Sequence, residues 1–153
     1  MAILRHKYIR MKNLNLIFIG LVINLLITSC EKDNKCNIDD CDQQVLISNN
    51  QYHNAPNDQL EINSIELIDD CLKISFSSGG CSGDTWIVKL IDSENIMESA
   101  PPQRNMRLSL ENNEPCDAYI SKEITFNIKS LQVDGGEVFL NIVNSEDQIL
   151  YEY

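Results

Sequence analysis

Cysteine and histidine are the residues of this 153-residue chain that could supply nucleophilic or metal chemistry. Beyond residue 30, His53 is the only histidine, so it is the only imidazole there that could act as a general base. Cys36, Cys41 and His53 have the residue types of a zinc site, but an oxidising compartment would bridge these thiols instead. The acidic stretch from Asp33 lacks the glycine and glutamate positions of a calcium loop. We predict no catalytic residue, no metal site and no cofactor, and keep a hydrolase or metal-dependent enzyme as the alternative.

Two loops carry residues that could bind a ligand. Residues 77–84 (SSGGCSGD) contain glycines that allow positive φ, so backbone N–H groups could form an anion nest. We favour a turn pinned by Cys81, because the residues that follow are typical of a strand and a phosphate loop needs a helix. Residues 99–104 contain a proline pair, which favours a rigid crossover over a recognition loop. The candidate binding-loop residues are Gly79, Gly80, Asp84, Pro101, Pro102 and Arg104.

The elements that must position these loops are strands. From Leu60 onward apolar and polar residues alternate, the pattern of half-buried strands. Asp69-Asp70 separates two such runs, so a hairpin is predicted over residues 64–77, whereas residues 49–58 are typical of a loop. Further strands are predicted near residues 86–91, 106–110, 124–128, 138–143 and 148–153. Seven to nine short strands predict an all-β fold, an antiparallel, immunoglobulin-like β-sandwich.

Five cysteines follow Cys30, and in an exported chain all five are disulfide candidates: Cys36, Cys41, Cys71, Cys81 and Cys116. We favour the pair Cys81–Cys116, while Cys71–Cys116 and Cys71–Cys81 stay open. Cys36 and Cys41 are close enough in sequence to close a small loop. An odd number leaves at least one cysteine free or bonded to another molecule.

The N-terminus has the order of a bacterial export signal. A basic start precedes an apolar run over residues 14–27, which is shorter than the roughly 20 residues that span a membrane. The residues Ile27, Thr28, Ser29 and Cys30 then resemble the lipobox of bacterial lipoproteins. The resemblance implies cleavage before Cys30 and lipidation of its sulfur. We predict a removed signal peptide over 1–29, a lipidated cysteine with an acidic tether over 30–43, and one domain over 44–153, with the true start at Met1 or Met11.

The downstream pattern points in the same direction. A hairpin ending in SGGCSGDTW, a PPQ loop and an EPCDAYI segment before a strand are similar to small uncharacterised lipoproteins with an immunoglobulin-like domain. That resemblance implies the fold and the anchor, and it carries no activity. Lys32-Asp33 resembles part of a surface-display signal, so we predict placement in the bacterial outer membrane, with the surface-exposed and periplasmic faces both open.

The charge of the chain limits its partners. Residues 31–153 contain all 23 acidic residues but only eight of the twelve basic ones, a net charge of −15. This charge repels phosphate backbones and anionic lipid, so nucleic acid is not expected as a partner. The membrane contact should come through the lipid anchor. We predict a membrane-anchored envelope lipoprotein that serves as a binding or interaction module for an envelope protein or a glycan. A purely structural envelope protein is a further alternative.

Overall fold

The computed structural model describes residues 41–153, which form nine strands and one short α-helix. The first half contains β1 (Gln43–Gln44), β2 (Leu46–Ile47), α1 (Asn49–Asn54), β3 (Glu61–Ile68) and β4 (Cys71–Gly80). The second half contains β5 (Ile87–Met97), β6 (Gln103–Glu111), β7 (Ala118–Asn127), a 3₁₀ turn (Lys129–Leu131), β8 (Glu137–Ile142) and β9 (Asp147–Glu152).

The strands form two facing sheets. The four-stranded sheet has the order β1-β7-β4-β3, and the five-stranded sheet has the order β2-β5-β6-β8-β9. The predicted β-sandwich is therefore confirmed, but the sheets are mixed rather than purely antiparallel. The pairs β1–β7, β2–β5 and β6–β8 run parallel. Parallel neighbours arise because the chain moves between the two sheets instead of continuing as hairpins.

The hydrophobic core lies between the sheets, as the period-two pattern requires. Alternate residues of each central strand are fully buried, including Leu72, Ile74 and Phe76 of β4 and Met106, Leu108 and Leu110 of β6. The intervening positions of β4 face outward and are polar: Lys73, Ser75 and Ser77. A sandwich of this kind derives its stability mainly from the apolar area that the two inner faces remove from water.

Most predicted strands are present, and the 64–77 hairpin corresponds to β3 and β4 around Asp69-Asp70. The prediction that residues 49–58 form only a loop is wrong, because α1 occupies Asn49–Asn54. The hydroxyl of Ser48 accepts a hydrogen bond from Gln51 N at the start of this helix. At its other end the buried guanidinium of Arg107 donates to the carbonyl oxygens of Tyr52 and Ala55. The contacts from Arg107 explain why a helix forms in a segment whose local sequence is typical of a loop.

The sandwich also begins earlier than predicted. Cys41 is bonded to Cys71, and Asp42 exchanges hydrogen bonds with Thr125 of β7. Residues 41–43, predicted as the end of the tether, are thus part of the domain. The chain enters the four-stranded sheet at the first residue of β4 and the last residues of β7.

Candidate functional site

Two connections cross between the sheets side by side. They lie at the end of the four-stranded sheet opposite the point where the chain enters it. Residues 81–86 lead from β4 to β5, and residues 112–117 lead from β6 to β7. The Cys81–Cys116 disulfide joins them, with a Cα–Cα distance of 4.8 Å. This is the pair favoured from the sequence. Cys71 pairs with Cys41 instead of Cys81 or Cys116, and Cys41 is therefore not available to Cys36.

The side chain of Glu114 fills a nest of donors in the 81–85 loop. Its Oε2 accepts hydrogen bonds from the backbone N–H groups of Cys81, Ser82 and Gly83, at 2.5, 3.0 and 3.0 Å. Its Oε1 accepts from the hydroxyl of Thr85 at 2.9 Å. The glycine-rich loop thus forms the anion nest that the sequence suggested as the weaker interpretation. The anion it holds belongs to the chain itself.

The nest stabilises the ionised form of Glu114. The backbone N–H of Gly83 is the largest cause, and those of Ser82 and Cys81 and the Thr85 hydroxyl add to it against the opposing effect of desolvation. Together these donors lower the pKa of Glu114 to about 2. Glu114 therefore keeps its charge throughout the physiological pH range and holds the loop by charge-assisted hydrogen bonds.

The glycines of this loop have different roles. A Cβ on Gly80 would lie 2.7 Å from Glu114 Oε2 and 2.8 Å from Trp86 Cζ2, so the side chains fill the space a larger residue would need. Gly83 has a φ of +73°, which favours glycine, and a Cβ there would lie 2.7 Å from Lys122 Cε and 3.1 Å from the Trp86 ring. Gly79 has no heavy atom within 4 Å of the corresponding position and is exposed. Gly79 and Gly80 belong to β4 rather than to a turn.

Asp84 lies on the outer side of the same loop. It is exposed and forms an ion pair with Lys122 of β7 at 3.0 Å. The Lys122 ammonium is the first cause that lowers the pKa of Asp84, and the Ser82 hydroxyl adds to it. Of the predicted binding-loop residues, Gly80 and Asp84 thus contribute to the structure of the loop.

A groove of about 400 Å³ opens between this loop region and the outer edge of the four-stranded sheet. We call it the end groove and define it by its lining residues, which are polar except at Leu60 and at the disulfide: Asp58, Gln59, Leu60, Glu61, Ser77, Ser78, Gly79, Asn112, Glu114, Cys116, Asp117 and Tyr119. Its volume falls within the range of small-molecule sites, although its polar lining differs from the apolar pockets that are usual among them.

Tyr119 is the exposed aromatic residue of the end groove. The side chain is 65% exposed, yet its hydroxyl donates to Glu61 Oε2 at 2.6 Å, which fixes the ring against β3. The Glu61 carboxylate is the largest cause that raises the pKa of Tyr119, so the phenol stays protonated. Exposed aromatic rings held in one position are favourable contact surfaces for a ligand.

The remaining walls of the groove are held by short hydrogen bonds. Asn63 Nδ2 donates to Ser77 Oγ at 2.8 Å, and Ser77 Oγ lies 2.8 Å from Ser121 Oγ. Asn112 N donates to Asp58 Oδ2 at 2.8 Å, and Asn112 Nδ2 donates to Gly79 O at 2.7 Å. The groove is thus a preformed surface.

The second predicted loop has a structural role. Pro101 and Pro102 lie in the turn of the β5–β6 hairpin, so the predicted crossover is wrong: β5 and β6 are antiparallel neighbours in one sheet. Arg104 is 5% exposed and is not part of a binding loop. Its Nη2 and Nε donate to Asp92 Oδ1 and Oδ2 at 2.7 and 3.0 Å, and Asp92 is fully buried. This bidentate ion pair belongs to the interior of the sandwich.

Of the groups considered for catalysis, His53 does not line the end groove, and Cys116, which does line it, is bonded to Cys81. His53 is exposed on α1, with its ring centroid 5.2 Å from that of Tyr52. Cys41, Cys71, Cys81 and Cys116 are all in disulfides. Within residues 41–153 no group of three histidine, cysteine, aspartate or glutamate residues is arranged to hold a metal ion. Over the same residues, no helix is both long and apolar enough to cross a membrane.

The sequence interpretation missed Glu114, Tyr119 and Glu61. Glu114 is two residues before a disulfide cysteine, and Tyr119 is the first outward-facing residue of β7. Neither feature identifies a hydrogen-bond partner 30 or more residues away. The predictions for Ile27, Thr28, Ser29, Cys30 and Cys36 concern residues outside the described part of the chain.

Comparisons with known proteins support the fold. The chain matches no protein-family model and no curated protein. Among solved structures it is similar to a NigD-like immunity protein from Bacteroides caccae, with 10% identity and a TM-score of 0.55 over 72% of this chain and 63% of that one. At 10% identity this likeness shows the β-sandwich fold alone.

Two further crystal structures match the same share of this chain at lower TM-scores. One is a DUF1344 protein of unknown function from Bacteroides vulgatus, with 18% identity, a TM-score of 0.49 and 56% of that chain covered. The other is a putative toxin-related protein from Parabacteroides distasonis, with 19% identity, a TM-score of 0.44 and 59% of that chain covered. The match spans less than two thirds of the length of each of these proteins.

Proposed function

We propose that this chain is an exported, lipid-anchored envelope protein whose sandwich is a binding module, and that the end groove is its binding surface. The observation that carries this proposal is the position of the groove relative to the point where the chain enters the domain. Cys41 is bonded to Cys71 at the first residue of β4, whereas Gly79 of the groove is the ninth of that strand's ten residues. At about 3.3 Å per residue, these points are roughly 25 Å apart.

The proposed anchor would be connected to the domain at this entry point. Ten residues separate Cys30 from Cys41, and so short a segment reaches at most ~40 Å when fully extended. An anchor attached at this end of the four-stranded sheet leaves the opposite end, with the groove, available to a partner. Disulfides at Cys41–Cys71 and Cys81–Cys116 fit an oxidising, extracytoplasmic compartment.

The anchor has its own test. Replacement of Cys30 by Ser should abolish labelling with radioactive palmitate and release the protein from the membrane fraction. A variant that remains labelled and bound to the membrane would contradict lipidation at Cys30.

The binding surface is tested with a photoreactive amino acid introduced at one position at a time in intact cells. Tyr119 is the test position, and Glu123 is the matched control, since it is exposed and lies on the same outer face of β7 outside the end groove. We expect covalent adducts, whether with protein or with glycan, from position 119 and not from position 123. Equal yields at the two positions, or none at either, would refute the proposed binding surface.

A further inference from the structure

We propose that the end groove binds a neutral saccharide, with the ring of Tyr119 as the stacking platform. This inference rests on the proposed function and specifies its ligand. Tyr119 is 65% exposed, and its hydroxyl donates a hydrogen bond to Glu61 Oε2 at 2.6 Å, which restrains the ring. A pyranose presents C–H groups on its faces and hydroxyl groups around its edge, which suits a fixed aromatic face bordered by polar groups.

The lining of the groove determines the polarity of the ligand. Carboxylate, amide and hydroxyl groups dominate its walls. Leu60 is the one aliphatic side chain of the lining, and the disulfide of Cys116 adds a further apolar group. An apolar ligand would leave these groups without water and without partners, at a cost in free energy for each of them. The ligand must therefore carry many hydrogen-bonding groups.

The groove presents mainly acceptors. The Ser78 hydroxyl donates to Gln59 O and the Tyr119 hydroxyl donates to Glu61, so both hydroxyl hydrogens are already used within the chain. The Asn112 amide uses one of its two N–H groups on Gly79 O, which leaves its second N–H and the Gln59 amide as side-chain donors beside a larger number of acceptors. A carboxylate has about four lone-pair sites, and Asp58 and Glu61 each use part of theirs for the bonds described above. Ligand hydroxyl groups can donate to the lone pairs that remain.

The existing contacts favour a neutral ligand over a charged one. An anion would be repelled by Asp58, Glu61 and Asp117. Against a cation, Glu114 is enclosed by the loop donors, and Asp58 and Glu61 are each oriented by one donor of the chain. Carboxylates held this way are directional acceptors, which suits hydroxyl groups at defined positions around a ring. Among the described residues, Asp117 is the one carboxylate of the lining without a hydrogen bond of its own, and tetralysine tests whether it suffices to hold a cationic group. The volume of about 400 Å³ is large enough for a short saccharide segment.

The experiment uses the full-length protein purified from membranes in detergent. Calorimetric titration with maltotetraose, xylotetraose and chitotetraose tests the proposal, and tetralysine serves as the cationic probe. We expect at least one saccharide to bind, with an affinity that Tyr119→Ala lowers by about tenfold, the loss expected for one aromatic contact. The exposed Glu123→Ala variant should bind as the wild type does. Circular dichroism verifies that both variants are folded.

Three results would overturn the inference: no binding of any of the saccharides at millimolar concentration, saccharide binding that Tyr119→Ala leaves unchanged, or binding of tetralysine alone. The photoreactive experiment separates this failure from failure of the proposed function. Adducts of protein at position 119 without saccharide binding would retain the binding surface and reject the saccharide. Absence of both adducts and saccharide binding would reject the two together.

Discussion

Cys71 is the first residue of strand β4 and Cys81 directly follows its last, and each is bonded to a different part of the chain. Cys71 joins β4 to the point where the chain enters the domain, and Cys81 joins it to the connection before β7. One ten-residue strand is thus fixed at both ends. The end groove is built on the Cys81 end, where the backbone and the Glu114 side chain are both held in place.

The disulfide arrangement can be verified directly. Peptide mapping without reduction should yield Cys41 linked to Cys71 and Cys81 linked to Cys116. Because the bonds span 30 and 35 residues, loss of either should lower the free energy of unfolding by a similar amount, about 2 to 4 kcal/mol. Urea denaturation of the Cys81→Ser/Cys116→Ser variant measures this loss. Peptides linking Cys71 to Cys81 or to Cys116 would contradict the arrangement.

The two adjacent glycines of β4 form a matched pair. Gly80→Ala should lower the free energy of unfolding by about 1 to 3 kcal/mol, because its methyl group would overlap Glu114 and Trp86. Gly79→Ala should change it by no more than about 0.5 kcal/mol, since that position is open. Thermal and urea denaturation of both variants provide the comparison. Equal losses would show that the Gly80 environment is not as close-packed as described.

Glu114 should make the stability of the protein depend on acid pH. Its pKa falls from 4.5 to about 2 on folding, so its contribution is complete above about pH 5 and disappears as the pH falls from there to 2. Glu114→Gln removes this contribution and should make the loss of stability over that pH range shallower. The matched control is Glu152→Gln, an exposed position at the end of β9. An unchanged slope for Glu114→Gln in urea denaturation at a series of pH values would contradict the nest.

Loss of the buried ion pair should lower the free energy of unfolding more than loss of an exposed one. Arg104→Ala removes the cationic partner of the fully buried Asp92, leaving it the backbone N–H of Glu94 as a donor, and should cost about 3 to 5 kcal/mol of unfolding free energy. Lys73→Ala removes the solvent-screened ion pair with Glu66 on the surface and should lower the free energy of unfolding much less. Chemical denaturation measures both changes. A loss for Arg104→Ala no larger than that for Lys73→Ala would mean that Asp92 finds another partner or water.

The sequence predicts the strands because alternation follows directly from burial of one face. Leu72, Ile74 and Phe76 are the apolar residues of that alternation in β4, and all are buried. The pairing of strands depends on how the chain moves between sheets, which alternation does not encode, and so the parallel pairs were missed. Helix α1 was missed for a similar reason: it depends on Arg107, more than 50 residues away in sequence.

The candidate site was predictable only in part. Glycines and a cysteine in one loop indicate a constrained turn, and three residues of that predicted loop line the site from the end of β4: Ser77, Ser78 and Gly79. Its anion comes from Glu114, about 30 residues later, and the aromatic ring from Tyr119 is positioned by Glu61, 58 residues earlier. Pairings at such separations follow from the topology of the sandwich and not from local spacing.

Hydrogen exchange in native envelopes tests the central claim, that the end groove is the binding surface, most directly. Amide exchange of the protein in its native membranes is compared with that of the same protein purified in detergent, residue range by residue range. We predict slower exchange in native membranes over residues 112–119, and no such difference over residues 69–72 at the entry end. In the Tyr119→Ala variant the protection should disappear. Equal exchange at the groove in both preparations, or protection confined to the entry end, would contradict the account.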